Sequence, residues 1–160
     1  MKQSSDMRKV RTPRYVRLTD RLVSRLIGAG VPFGPNALIT VRGRKTGEPR
    51  TTPVAVVEVG DRRWIQGAFG EVNWVRNLRA AGEATLIIGK RQELIHTVAL
   101  TKEDAAAFFE DVLAPYIRRL PSPVQRILPP LLGLTDVLRD PKLAAERHPV
   151  FEIRPADVRA

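Results

Sequence analysis

Two apolar runs rich in β-branched residues, Ala37–Val41 and Val54–Val59, predict strands, with the polar stretch between them as the joining loop. Pro53 at the head of the second run suits an edge strand or a bulge, because proline brings no ladder donor. Gly60-Asp61 predicts a reverse turn into a strand over Arg62–Gly67. Asn73 is placed to cap a helix over Trp74–Ala81, with Gly82 as its stop. On that helix Trp74, Asn77, Leu78 and Ala81 fall on one face. Ala84–Ile88 and Glu93–Leu100 predict a hairpin around Gly89-Lys90-Arg91. Thr101 with Asp104 three positions on has the form of a capping box. Behind it Ala105, Phe108, Phe109, Val112, Leu113, Tyr116 and Ile117 make a helical core stripe. The proline- and leucine-rich segment from Pro115 to Pro141 reads as two short helices, and Val150–Ile153 as a last strand.

The ends are different in kind. Residues 1–11 are polar and basic and are expected to be disordered. From Pro13 to Ile27 the spacing turns helical, with Tyr15, Leu18, Leu22, Val23, Leu26 and Ile27 on one side and Arg14, Arg17, Arg21 and Arg25 on the other. That helix, 13–28, either packs on the sheet or rests on acidic lipid at an interface. The pattern gives one domain: a core over 36–113 and a helical extension with a final strand over 114–160. Short strands in hairpins with helices between them argue for an α+β fold with an antiparallel sheet.

Composition narrows the partners. Lys and Arg outnumber Asp and Glu by 27 to 17, a net charge of +10 that favours an anionic partner. Aromatic residues are 6% of the chain and do not interleave with the basic ones as base-stacking platforms would, which counts against nucleic acid. With no cysteine and two histidines, His96 and His148, the chain offers no zinc spacing and no disulfide. His96 reads as a ladder residue, and His148 before Pro149 as extended backbone at an element boundary. The chain contains no run of 18 apolar residues and no secretion-type apolar region at its start; a reducing cytoplasm is the expected setting.

The chemistry concentrates in one stretch, Arg42-Gly43-Arg44-Lys45-Thr46-Gly47-Glu48-Pro49-Arg50-Thr51-Thr52-Pro53. Arg42, Arg44, Lys45 and Arg50 fall within nine positions. Gly47 can take positive φ and let backbone N–H groups converge, and the three threonines add hydroxyls. Such a loop suits a phosphate or a series of carboxylates. On charge alone a solvated hairpin tip explains the same residues. The pattern is not the Walker loop, since it lacks that spacing and precedes a strand.

Gly43 through Pro53 resembles the G-R-K-[ST]-G-x-x-R-T-T-P signature of the deazaflavin-dependent nitroreductase family. Gly70-Glu71-Val72-Asn73-Trp74-Val75-Arg76-Asn77-Leu78-Arg79 is similar to that family's second signature. The likeness covers about 36–113. It implies a split β-barrel, mostly antiparallel with flanking helices, and binding of coenzyme F420, a deazaflavin with a phosphate and an oligoglutamate tail. Carried over by position, it implies that Arg44, Lys45 and Arg50, with the backbone of Thr46 and Gly47, grip the phosphate and glutamates. Thr51, Thr52 and Pro53 would lie along the ring, Ala68, Phe69 and Gly70 at its other edge, and Asn73, Trp74 and Asn77 on the phosphate side. Some family members have a serine and lysine near the positions of Ala68 and Phe69 and several pocket tyrosines, where this chain has only Tyr15 and Tyr116, so the resemblance does not by itself imply nitroimidazole chemistry.

The resulting expectation is an oxidoreductase moving a hydride between reduced F420 and a small apolar acceptor such as a quinone or enone. The alternative is a non-catalytic carrier of a deazaflavin, flavin or tetrapyrrole, with FMN as the alternative cofactor. A homodimer and a peripheral membrane contact through the N-terminal helix are compatible with both. No side chain is singled out as a catalytic acid or base.

Overall fold

A single residue, Ala55, separates the two strands that lie at opposite margins of the sheet, and this forces the sheet to close on itself. The computed structural model describes residues 37–131 and 134–156. Its strands are β1 (Ala37–Arg42), β2 (Pro49–Val54), β3 (Val56–Val59), β4 (Arg62–Gln66), β5 (Glu83–Ile88), β6 (Arg91–Ala99) and β7 (Val150–Pro155). They pair antiparallel in the order β2-β1-β5-β6-β7-β4-β3. Val54 at one margin and Val56 at the other join the same buried cluster as Ile39, Leu86, Ile95 and Phe151. The sheet is therefore a curled, split β-barrel, and the fold is α+β.

The expected strand over Val54–Val59 is corrected here. The ladder beside β1 is taken by Pro49–Val54, in register from Ala37↔Val54 to Arg42↔Pro49. Val56–Val59 instead pairs with β4. Nothing in the local apolar run marks this break, because it answers to barrel closure. The edge position expected from Pro53 holds. Pro49 and Pro53 are two strand repeats apart, so both missing donors fall on the side of β2 away from β1, which pairs with no strand among the described residues.

One helix plugs the barrel. Helix α1 (Asn73–Ala81) inserts Val75 and Leu78, both 0% exposed, into the inner cluster. Two expectations shift. Val72, not Asn73, occupies the cap position, and no side chain caps the helix; Asn73 is its first residue. The buried stripe runs through Val75 and Leu78, with Trp74 half-buried beside it and Ala81 exposed. Gly82 ends the helix as expected, its N–H bonded to the Leu78 carbonyl at 2.8 Å.

The outer face of β4 and β7 carries the second core. Trp64 and Val150 meet Ala105, Phe108, Phe109, Leu113, Ile117, Leu134, Val137, Ala144 and Ala145 there. These come from α2 (Lys102–Phe108), a π-helical turn (Phe109–Leu113), α3 (Ala114–Arg118), α5 (Thr135–Arg139) with Leu134 just before it, and α6 (Pro141–Arg147), while α4 (Ser122–Leu131) links α3 to α5 along the chain. Thr101 caps α2 by accepting from Asp104 N–H at 3.1 Å. The π turn advances the helix register, and Tyr116 is left 38% exposed, off the stripe expected of it. The two short helices expected within Pro115–Pro141 are α4 and α5, and a further one, α6, opens where that segment ends: the Asp140 carboxylate accepts from Leu143 N–H at 3.1 Å. Among the described residues no helix is long and apolar enough to cross a membrane. The expectations for residues 1–11 and for a helix over 13–28 lie outside the described residues.

Candidate functional site

The chain reverses from β1 into β2 through a turn closed at both ends. Gly43 N–H donates to the Glu48 carbonyl and Gly47 N–H to the Gly43 carbonyl, each at 2.8 Å. Gly47 has φ of +73°, a conformation that any side chain would strain, and this fixes why glycine stands there. Thr46 Oγ1 accepts from Glu48 N–H at 3.3 Å. The N–H groups of Lys45 and Thr46 make no hydrogen bond among the described residues, which leaves two donors on the bend.

Helix α1 faces this turn across the barrel mouth. Asn77, 4% exposed, accepts at its Oδ1 from the Arg44 backbone N–H at 3.2 Å and from Arg44 Nη1 at 2.8 Å. The two elements thus enclose a groove of ≈ 330 Å³ lined by Gly43, Arg44, Lys45, Thr46, Arg50, Asn73 and Asn77. Among the described residues its wall holds three cations and no carboxylate. Arg44, Lys45 and Arg50 make no salt bridge among the described residues, so their charge is uncompensated there. The uncapped start of α1 adds to the positive field, because the first N–H groups of a helix have no internal acceptor.

The structure gathers Arg44, Lys45, Thr46, Arg50, Asn73 and Asn77 around one groove, and Gly47 shapes its turn. Arg42 does not reach it. It ends β1 on the opposite face from Val41. Strand alternation also divides the next three positions. Arg50, Thr52 and Val54 share the face that meets the inner core, opposite Val41, Ile39 and Ala37. Thr51 and Pro53 point the other way, and Thr51 shares a 2.8 Å hydroxyl–hydroxyl bond with Thr40. Ala68, Phe69 and Gly70 form the turn from β4 into α1, apart from the groove wall; Phe69 is 76% exposed. Trp74 packs against the inner cluster.

Among the described residues no group of His, Asp and Glu could hold a metal ion. His96 is an exposed residue of β6 opposite Glu83, and Glu71 is ion-paired with Arg79. His148 is the unexpected one. It is 6% exposed, with Nε2 at 3.0 Å from Asp136 Oδ2. No local sequence signal marks this pair, since Asp136 lies on α5 and His148 at the end of α6.

A family model of F420H(2)-dependent quinone reductases matches residues 11–126. No curated protein matches the chain. Two solved structures are among those similar to this chain. A candidate 5-nitroimidazole antibiotic resistance protein from Bacteroides thetaiotaomicron is 8% identical with a TM-score of 0.50, over 83% of this chain and 80% of that one. An F420-H2 dependent reductase is 17% identical with a TM-score of 0.48, over 75% of this chain and 94% of that one. At 8% identity and a TM-score of 0.50 the first likeness speaks to the fold alone, whereas the family match spans most of the sequence. The chain belongs to the F420H(2)-dependent quinone reductase family and is an F420-dependent oxidoreductase.

Proposed function

We propose that the groove between the Gly43–Glu48 turn and α1 receives the phosphate and acidic tail of F420, and that the reaction delivers a hydride to a small apolar acceptor such as a quinone or enone. The residues present fit that cofactor by the chemistry of their donors. Among the described residues three cations without a carboxylate partner line one wall, two N–H groups without an acceptor sit on the bend, and a helix starts without a side-chain cap at the other side. That convergence on an anion is the observation that carries the reading. A single phosphate would leave much of this charge unanswered, whereas a phosphate followed by carboxylates would use it along its length.

When bound, F420 supplies the redox chemistry through its deazaflavin ring. The chain's own residues bind and orient. Arg44 and Arg50 offer bidentate forks and Lys45 a point charge. Thr52 lies on the same strand face as Arg50, so the path from the tail toward the barrel interior runs along β2. Ala68, Phe69 and Gly70 close the ring's far edge, with exposed Phe69 offering an apolar face to the acceptor side. Reducing a quinone takes one hydride and one proton, and water at this open site can furnish the proton.

The test is a fluorescence titration of the protein with F420 and with FMN, followed by turnover of reduced F420 with a small quinone. Tight F420 binding, weaker FMN binding and quinone-dependent oxidation are expected. Equal affinity for both, or no oxidation by any quinone or enone, would reject the reading.

A further inference from the structure

The turn Gly67–Gly70 is held from behind by a part of the chain that lies past the family match. Gly67 N–H donates to the Pro149 carbonyl at 2.8 Å, and Gly70 N–H to the Gly67 carbonyl at 3.0 Å. A Cβ on Gly67 would come within 2.9 Å of Val75 Cγ2, 3.0 Å of Pro149 Cγ and 3.1 Å of the Gly70 carbonyl oxygen. Gly70, at φ +78°, has the Arg147 carbonyl oxygen 3.4 Å from where its Cβ would stand. The chain therefore passes between α1 and Arg147–Pro149 with no room at Gly67 for a side chain. Where that segment sits decides where the turn sits.

His148 decides where the segment sits. Its backbone N–H bonds the Ala144 carbonyl at 2.8 Å and closes α6. Its Nε2 lies 3.1 and 3.0 Å from the two carboxylate oxygens of Asp136 on α5. A carboxylate accepts only, so Nε2 carries the hydrogen. Nδ1 is buried and has no partner among the described residues, which leaves Asp136 as the ring's polar anchor there. Phe109 packs edge-on against the same imidazole at 6.2 Å between centroids, and Arg147 Nη1 approaches Asp136 at 3.8 Å.

We propose that His148 and Asp136 are positioning residues, fastening the strap Arg147–Pro149 so that it holds the Gly67–Gly70 turn in place against the deazaflavin ring. The inference rests on the reading above that Ala68, Phe69 and Gly70 face that ring. Loss of the bond would let the strap drift, and the ring would lose its backing while the tail groove, built from β1, β2 and α1, kept its shape. The defect is then confined to the ring end of the cofactor.

The test compares His148→Gln, whose amide nitrogen can replace Nε2, with His148→Asn, which is too short to reach Asp136. Asp136→Ser, which leaves the imidazole in place, serves if His148→Asn does not fold. Hydrogen exchange of the ligand-free proteins is measured at Gly67 and Gly70. Affinity is measured for F420 and for the deazaflavin chromophore lacking phosphate and tail. His148→Asn and Asp136→Ser should raise exchange at both glycines by about tenfold. They should weaken the tail-less chromophore by roughly threefold to tenfold, with the affinity ratio of F420 to chromophore unchanged and His148→Gln close to wild type. Native exchange in His148→Asn, or a His148→Gln as defective as His148→Asn, would overturn the strap. Faster exchange with unchanged chromophore affinity would overturn its role at the ring. Failure of the groove reading is separate: it would show as an Arg44→Ala protein with an unaltered ratio of F420 to chromophore affinity.

Discussion

Arg44 delivers both its backbone N–H and its guanidinium to one oxygen of Asn77, at 3.2 and 2.8 Å. The two residues are 33 positions apart, and their contact is what ties the β1–β2 turn to α1. A mobile arginine would lose rotamer freedom on gripping an anion. One already fixed by a buried amide has lost it during folding, so the groove is preorganised.

Arg44→Ala should weaken F420 binding by roughly tenfold or more, since a charge-assisted hydrogen bond is worth ~1.5–3 kcal/mol. The loss should grow with the number of glutamates in the tail and shrink with added salt. Fluorescence titrations with cofactors of different tail length decide this. Equal losses for tailed and tail-less forms would count against the groove as the tail site.

Asn77→Asp separates the amide's two duties. A carboxylate would keep, and strengthen, the bond to Arg44, so chemical denaturation should find the variant as stable as wild type within about 1 kcal/mol. It would also place a negative charge in the groove wall, and F420 affinity should fall by about tenfold. Stability and affinity falling together would show that Asn77 serves packing alone.

Local chemistry made much of this architecture legible. Gly47, Gly60-Asp61 and Gly82 mark turns and a helix end by backbone requirement, and Thr101 with Asp104 marks a cap. The residues of the groove were readable because charge and glycine fall close together in sequence. What was not legible is non-local. The break at Ala55 follows from barrel closure, while Val54–Val59 on its own reads as one strand. The Arg44–Asn77 bond and the His148–Asp136 pair join separate elements, and no periodicity announces either. Alternation was readable in principle: it sets Thr51 and Pro53 on the opposite face from Arg50 and Thr52 once the register with β1 is known.

Leu78→Ala should destabilise the protein by about 2–5 kcal/mol, because Leu78 is wholly buried where α1 plugs the barrel. Thr101→Ala should cost only about 1 kcal/mol, the worth of one cap at an exposed helix start. Urea unfolding of both variants tests the ranking. The reverse order would mean that α1 is not the element that closes the inner core.

No ionisable side chain is expected to act as an indispensable acid or base. Glu71 is exposed and held by Arg79, on the rim of the turn that precedes α1. Its charge is spent on a helix neighbour, and Glu71→Gln should leave turnover within about tenfold of wild type. His96 stands on the outer face of β6 opposite Glu83, away from the groove, and His96→Ala should do the same. His148 is buried behind the Gly67–Gly70 turn, with its one bonded nitrogen facing Asp136, so it has no route for a proton to an acceptor. Its replacement should raise the cofactor concentration needed for half-maximal rate while leaving kcat within about tenfold. Hydride transfer depends chiefly on a close and aligned donor and acceptor, and water can provide the proton. Substitutions that change the shape of the ring's edge should cost more. Gly70→Val strains a backbone at φ +78° and crowds the Arg147 carbonyl, so it should damage turnover beyond any of the three. Steady-state rates at saturating cofactor are the measurement. A fall of about a thousandfold for Glu71→Gln or His96→Ala, with cofactor affinity intact, would identify a true general acid and refute the scheme.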